Sequence, residues 1–206
     1  MAEQPSETEA KFCVHNLSMT EAHLRELKAH LLVPRIFEIN YRFDTSNGDL
    51  RRAGRVLRLR KDDLVHLTYK DNGQSIAGAL TRREIEFVAE GFDSARQFIE
   101  ALGYEVVFIY EKYRTTFEYK GTQLMLDELP YGNFIEIEGE LETLRPIAEE
   151  LGLDWDKAIP VSYHALFERV CQSRGLTFRN LTFENFKETK VSPADMTIEY
   201  ADVGKS

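Results

Sequence analysis

A two-residue alternation between ionised and apolar side chains constrains this chain more than any other feature of its sequence. In residues 134–140, Glu136, Glu138 and Glu140 share one parity while Ile135 and Ile137 take the other. A strand sends successive side chains to opposite faces, so this segment would form a strand with one acidic face and one apolar face. The alternation recurs and predicts eight strands, at about 7–14, 36–44, 55–61, 64–70, 82–88, 106–119, 122–127 and 134–140. Asn47-Gly48-Asp49, Lys61-Asp62-Asp63 and Tyr119-Lys120-Gly121-Thr122 supply turns, so neighbouring strands pair as antiparallel hairpins. Helical patterns occupy roughly 20–31 behind Thr20, 94–102 behind Asp93, 143–151 closed by Gly152, and 163–174 between Ser162 and Gly175. The expected class is α+β, with residues 1–175 as one domain and 176–206 as a tail or lid.

Half-buried strands alternate in any antiparallel sheet, but they do not sort their charges by sign. Here Arg58, Arg60 and Lys70 give cationic faces, and so do Lys112 and Arg114. Glu7 with Glu9, Glu84 with Glu86, and Glu136 with Glu138 give acidic ones. Such sorting costs repulsion unless counter-charges arrive. Eight strands suffice to close a barrel, and closure with the apolar parity outward, under the helices, places the ionised parity around a lumen. Carboxylates two apart on a strand suit hard divalent ions, Mg2+ or Mn2+ rather than Zn2+, and clustered Arg and Lys suit phosphates. The combination implies a phosphorylated ligand delivered with metal. No glycine-rich phosphate loop is present, so side chains must do that work. Arg42, Arg82, His66 and Glu140 are expected to serve internal pairing.

The net charge of -9 argues against nucleic-acid binding. There is no long apolar span and no basic leader followed by an apolar core, so a cytoplasmic, membrane-free protein is expected. Cys13 and Cys171 match no closely spaced thiolate motif and are expected as buried, reduced thiols.

Several segments, taken in order, resemble the CYTH superfamily, the triphosphate tunnel metalloenzymes, which groups class IV adenylate cyclases, thiamine triphosphatases and inorganic triphosphatases. They are Glu7-x-Glu9-x-Lys11, Tyr41-Arg42-Phe43-Asp44-Thr45, Arg55-Val56-Leu57-Arg58-Leu59-Arg60, Lys70, Glu84 with Glu86, Lys112-Tyr113-Arg114, Leu126-Asp127-Glu128-Leu129, Gly132-Asn133-Phe134-Ile135-Glu136-Ile137-Glu138 and Ser162-Tyr163. The resemblance spans about residues 3–172 and implies an eight-stranded antiparallel tunnel. It implies that Lys11, Arg58, Arg60, Lys70, Lys112 and Arg114 bind a triphosphate. Glu7, Glu9, Asp127, Glu136 and Glu138 would hold Mg2+ or Mn2+, and Glu84 and Glu86 would support. The catalytic set would be Glu7, Glu9, Lys11 and Lys70. Hydrolysis of the terminal phosphoanhydride of inorganic, thiamine or nucleoside triphosphate is the leading expectation. The alternatives are a cyclase making cyclic AMP and pyrophosphate from ATP, and a polyphosphate- or nucleotide-binding module without chemistry. A monomer or homodimer fits either enzyme.

Overall fold

The computed structural model describes residues 6–203; the side chains of Ser6 and Glu7 lie outside the described residues. Nine strands form: β1 (Ser6–Val14), β2 (His30–Asp44), β3 (Val56–Lys61), β4 (Val65–Lys70), β5 (Gln74–Ile76), β6 (Ala79–Val88), β7 (Glu105–Tyr119), β8 (Thr122–Leu129) and β9 (Gly132–Glu138). The sheet runs β1-β9-β8-β7-β2-β3-β4-β6, and β1 pairs with β6 to close a ring of eight strands. Every pairing in it is antiparallel, and closure sets Glu7 opposite Arg82 and Glu9 opposite Leu80. The short β5, which the alternation does not reveal, pairs only with β6 at the rim.

The helices are α1 (Leu17–Glu26), α2 (Asp49–Arg52), α3 (Phe92–Ala101), α4 (Leu141–Glu150), α5 (Tyr163–Arg174) and α6 (Phe183–Phe186). The outward parity of β1, β8 and β9 is apolar, and Phe12, Leu124, Leu126, Ile135 and Ile137 pack in one core with Leu24 of α1 and Leu144, Ile147 and Ala148 of α4. Leu59 and Phe43 pack beneath Ile99 of α3. The β6 side departs from expectation, because among the described residues no helix covers its outer face. Ile85 and Phe87 are 41% and 56% exposed there.

The first helix also differs from its expected span of 20–31. Asn16 caps it, accepting from the Ser18 amide at 2.8 Å, and Lys28 turns into positive φ (58°). His30 then opens β2, because residues 30–33 pair with Thr116–Glu118 of β7, and that pairing outweighs helical propensity. Pro34 interrupts the ladder, where the register shifts between Val33 and Ile36. Gly91, not Asp93, occupies the position before α3, and Asp93 sits in its first turn. The β7–β8 hairpin turns through Lys120 and Gly121, both at positive φ, as a two-residue turn with right-handed strands requires.

α5 starts behind Ser162, whose Oγ accepts from the Ala165 amide, and ends at Gly175 in the left-handed region, as its sequence predicts. The chain beyond it is packed. Leu181 is bound to β7 through Leu181 N–Ile109 O and Glu111 N–Leu181 O, each 2.9 Å, and Ala201 N donates to Cys13 O on β1. Leu181, Phe186 and Met196 share a core with Phe108, Tyr110, Phe134 and the buried face of α5. The segment therefore straps α5 against one end of the ring. Both cysteines are free; Cys13 is buried and Cys171 is half-buried. No described helix is long and apolar enough to cross a membrane.

Candidate active site

The ionised parity faces a cavity of about 600 Å³ inside the ring. Its wall includes Lys11 and Glu9 of β1, Arg58 and Arg60 of β3, Lys70 of β4, Glu84 and Glu86 of β6, Lys112 and Arg114 of β7, and Glu136 and Glu138 of β9. These eleven residues were all singled out by their spacing, and closure of the sheet brings them together.

Their charges interlock. Lys11 Nζ lies 2.9 Å from Glu136 and 3.9 Å from Glu9, and Arg114 bridges Glu136 to Asp127. Burial alone would raise the Glu136 carboxyl, but Lys11, Arg114 and Lys112 outweigh it and hold it well below the usual carboxylate range. Burial would likewise lower the Lys11 ammonium, yet Glu136 and Glu9 keep it above its ordinary value. Lys70 pairs with Glu84 at 2.5 Å. Glu86 is a junction: it accepts from Thr68 Oγ1 at 2.7 Å, contacts His66 Nδ1 at 3.0 Å, and lies 3.5 and 3.6 Å from Arg58 and Arg60.

Asp127, expected among the metal ligands, stands elsewhere. It shares the inward parity of Gln123 and Met125 but is fully buried, and it does not line the cavity. Lys112 donates to it at 3.0 Å, Arg114 donates twice at 2.6 Å, and the Tyr163 hydroxyl donates at 2.8 Å. Both oxygens are engaged, so in this arrangement Asp127 holds Lys112 and Arg114 in place. Tyr163 opens α5 and covers this cluster, with Lys11 4.5 Å and Lys112 5.6 Å from its ring centroid. Burial and then Asp127 push its phenol well above the usual value, so it remains a donor.

Glu38 is a functional candidate that the motifs did not pick out, although it shares the inward parity of Arg42 on β2. It is buried, 3.5 Å from Lys112 and 3.9 Å from Arg114. Burial opposes its charge, but Lys112, Arg114, Arg60 and Arg58 bring its carboxyl down to about 2. Three residues expected to be internally paired line the cavity as well. Arg82 pairs with Glu9 at 3.4 Å, and His66 sits between Glu86 and Asp62. Arg42 departs from expectation, for among the described residues it has no ion pair or hydrogen bond within the usual limits.

Among the described residues no group of three or more His, Cys, Asp or Glu converges as a metal site. The donor chemistry nonetheless fits a hard divalent ion. Glu9 and Glu138 stand directly opposite each other across β1 and β9, a like-charge pair that favours a cation between them, and both offer only oxygen. The expected partner Glu7 has its side chain outside the described residues.

Solved structures share this architecture. A Vibrio parahaemolyticus protein described as a candidate adenylate cyclase matches with a TM-score of 0.69 and 22% identity, covering 78% of this chain and 97% of that one. The PH1819 protein of Pyrococcus horikoshii matches with a TM-score of 0.63 and 26% identity over 76% of this chain and 95% of that one. A Hippeastrum protein, named as a candidate adenylyl cyclase and described as revealing a dominant triphosphatase activity, matches with a TM-score of 0.56 and 18% identity. That match covers 94% of this chain and all of the other, so it reaches into the strap that follows α5. No curated protein matches. The family model of the CYTH domain matches residues 5–150, well over half of the sequence, and the chain belongs to the CYTH domain family.

Proposed function

We propose that this protein is a divalent-metal-dependent triphosphatase that hydrolyses the terminal phosphoanhydride of a triphosphate held in the tunnel. The observation that carries this reading is the convergence of Lys11, Arg58, Arg60, Lys70, Lys112 and Arg114, from four strands, on one enclosed cavity. Arg guanidinium forks and Lys point charges bind phosphate oxygens, and a cavity of about 600 Å³ lies within the range of small-ligand sites. Their present carboxylate partners serve as placeholders that keep the cations charged and ordered before the ligand arrives.

Glu9, Glu138 and Glu136, with Glu7, would hold Mg2+ or Mn2+, and the bound ion would neutralise phosphate charge. Asp127 and Tyr163 act as positioning residues that fix Lys112 and Arg114. Water adds to the terminal phosphorus as the bridging P–O bond breaks, releasing orthophosphate and pyrophosphate from inorganic triphosphate. Charge spreads over the peripheral oxygens in that transition state, and the buried guanidinium and ammonium groups stabilise it without reorganising. A carboxylate of the Glu9–Glu138 pair orients the water.

The Hippeastrum protein's described triphosphatase activity supports hydrolysis over cyclisation. Purified protein with Mg2+ or Mn2+ is to be incubated separately with inorganic triphosphate, ATP and thiamine triphosphate, and the products resolved. Orthophosphate is the expected product; cyclic AMP with pyrophosphate from ATP would install the cyclase reading, and tight binding without turnover would install a binding module. Glu138→Ala and Lys11→Ala should each lose turnover while remaining folded, and wild-type kcat in either soluble variant would overturn the assignment.

A further inference from the structure

Among the described residues, the outer face of β4 and β6 is an apolar surface left without a cover. Register sets Leu67 of β4 beside Phe87 of β6 and Tyr69 beside Ile85, so two apolar cross-strand pairs form its centre. α3 stops short of it. Its Ile99 packs with Leu59 of β3 and reaches Val65 and Leu67, but Ile85 and Phe87 stay open to solvent. At the rim beside Phe87, Leu64 and Val88 are exposed as well. The helix adds an apolar flank of its own. Arg96 lies over the Tyr41 ring of β2, and at about 100° per residue Phe98 points to the other side of α3, where the strand order puts β4 and β6. There Phe98 is 63% exposed, and Leu102, one turn on, is 62% exposed.

Size and sign both fit a second copy of this chain. At about 3.3 Å per residue the run from Arg83 to Glu90 is about 23 Å long, and β4 with the α3 flank widens the face to about 20 Å. A patch of that outline, about 450 Å², is large for a monomer and sits at the lower end of what a stable dimer buries. Its charges are arranged symmetrically about the apolar centre. Arg83 shares the outward parity of Ile85 and Phe87 and is exposed at one end of the run, and Glu90 is exposed at the other. A two-fold axis through the Ile85–Phe87 centre therefore sets Arg83 of each copy against Glu90 of the other, so the face is complementary to itself.

We propose that the outer face of β4 and β6, with the exposed flank of α3, is the interface of a two-fold homodimer whose ends are closed by Arg83–Glu90 pairs between copies. Even-numbered residues of β6, Arg82, Glu84 and Glu86, line the tunnel, and the odd-numbered ones form this contact on the opposite side of the same strand. The dimer stands whichever reaction the tunnel performs.

Sedimentation velocity on the full chain from about 1 to 100 µM is expected to show a monomer–dimer equilibrium with a micromolar Kd, as a small interface implies. Phe87→Lys brings two ammonium groups into the apolar centre by symmetry and should weaken dimerisation at least about a hundredfold, with an unchanged far-UV circular dichroism spectrum. Ile85→Lys supplies the same probe if the first variant does not fold. R83E and E90R each set like charges at both ends and should each be monomeric where the wild type is dimeric. Mixing the two restores both pairs and should give a heterodimer. A wild type that stays monomeric across the range, or a dimer that Phe87→Lys and Ile85→Lys leave intact, would overturn the interface. A mixture of R83E and E90R that associates no better than either alone would overturn the two-fold register.

Discussion

Asp127 receives hydrogen bonds from Lys112, Arg114 and Tyr163 while fully excluded from solvent, and its energetic role follows from that geometry. Removing one member of a buried ion-pair cluster leaves the others uncompensated. Asp127→Asn is therefore expected to destabilise the fold by about 3 kcal/mol or more, whereas Tyr163→Phe, which deletes one charge-assisted bond, should cost about 1.5–2 kcal/mol. Urea unfolding orders the two, and equal losses would contradict a shared acceptor. Glu38 makes a prediction about acid. Its carboxyl is lowered from an ordinary 4.5 to about 2, so the folded state binds its proton less tightly than the unfolded one. The stability this contributes is present above about pH 4.5 and is lost as pH falls through about 2, amounting to about 3 kcal/mol across that window. Glu136, also held well below the usual carboxylate range by Lys11 and Arg114, adds a loss in the same direction. Stability measured from pH 7 to pH 2 should fall steeply only below about 4.5, and Glu38→Gln should flatten the profile; an unchanged slope in that variant would show that Glu38 is not the titrating group.

At the scale of elements, the strands that line the tunnel were legible because each carries its own period. β1, β3, β4, β7, β8 and β9 appear close to their expected positions, and so does α5, which is bounded by Ser162 and Gly175. The first part of β2 was not legible. Residues 30–35 contain Leu31, Leu32 and Val33 beside a helical pattern and a proline, and only the distant partner β7 decides between helix and strand. Among the residues that line the cavity, those in the ordered motifs are brought together by closure of the ring, while Glu38 lies outside the motifs and the bond from Tyr163 to Asp127 depends on what closure places around it. The strap after α5 was also hidden, since its apolar residues follow no period and each meets a different surface. Its packing carries a prediction: Leu181 is fully buried between β7 and the α5 core, so Leu181→Ala should cost about 2–4 kcal/mol. Because the strap holds α5, and with it Tyr163, against the ring, turnover should fall at temperatures well below the unfolding midpoint. Full activity up to the transition would separate the strap from the site.

The whole molecule carries a net charge of -9, and among the described residues the tunnel wall sets eight Lys and Arg side chains against eight Asp and Glu side chains, so any attraction for an anion is local to particular cations in the lumen. An enclosed wall of this kind holds its own carboxylates against its own cations, so an entering polyanion would compete with those carboxylates. Binding to the folded state alone raises stability by RT ln(1 + [L]/Kd), about 2.7 kcal/mol at a hundredfold excess over Kd. For a chain of 206 residues that corresponds to a rise in Tm of about 5–10 °C. Inorganic triphosphate should produce this shift, and orthophosphate at the same ionic strength should not, because it reaches only some of the wall's cations. Raising salt should weaken the effect less than it would for an exposed patch, since the interacting charges are mostly shielded from solvent. Equal shifts from both anions would mean that the tunnel senses ionic strength rather than a phosphate chain, and the interlocked charges would then be a purely structural network.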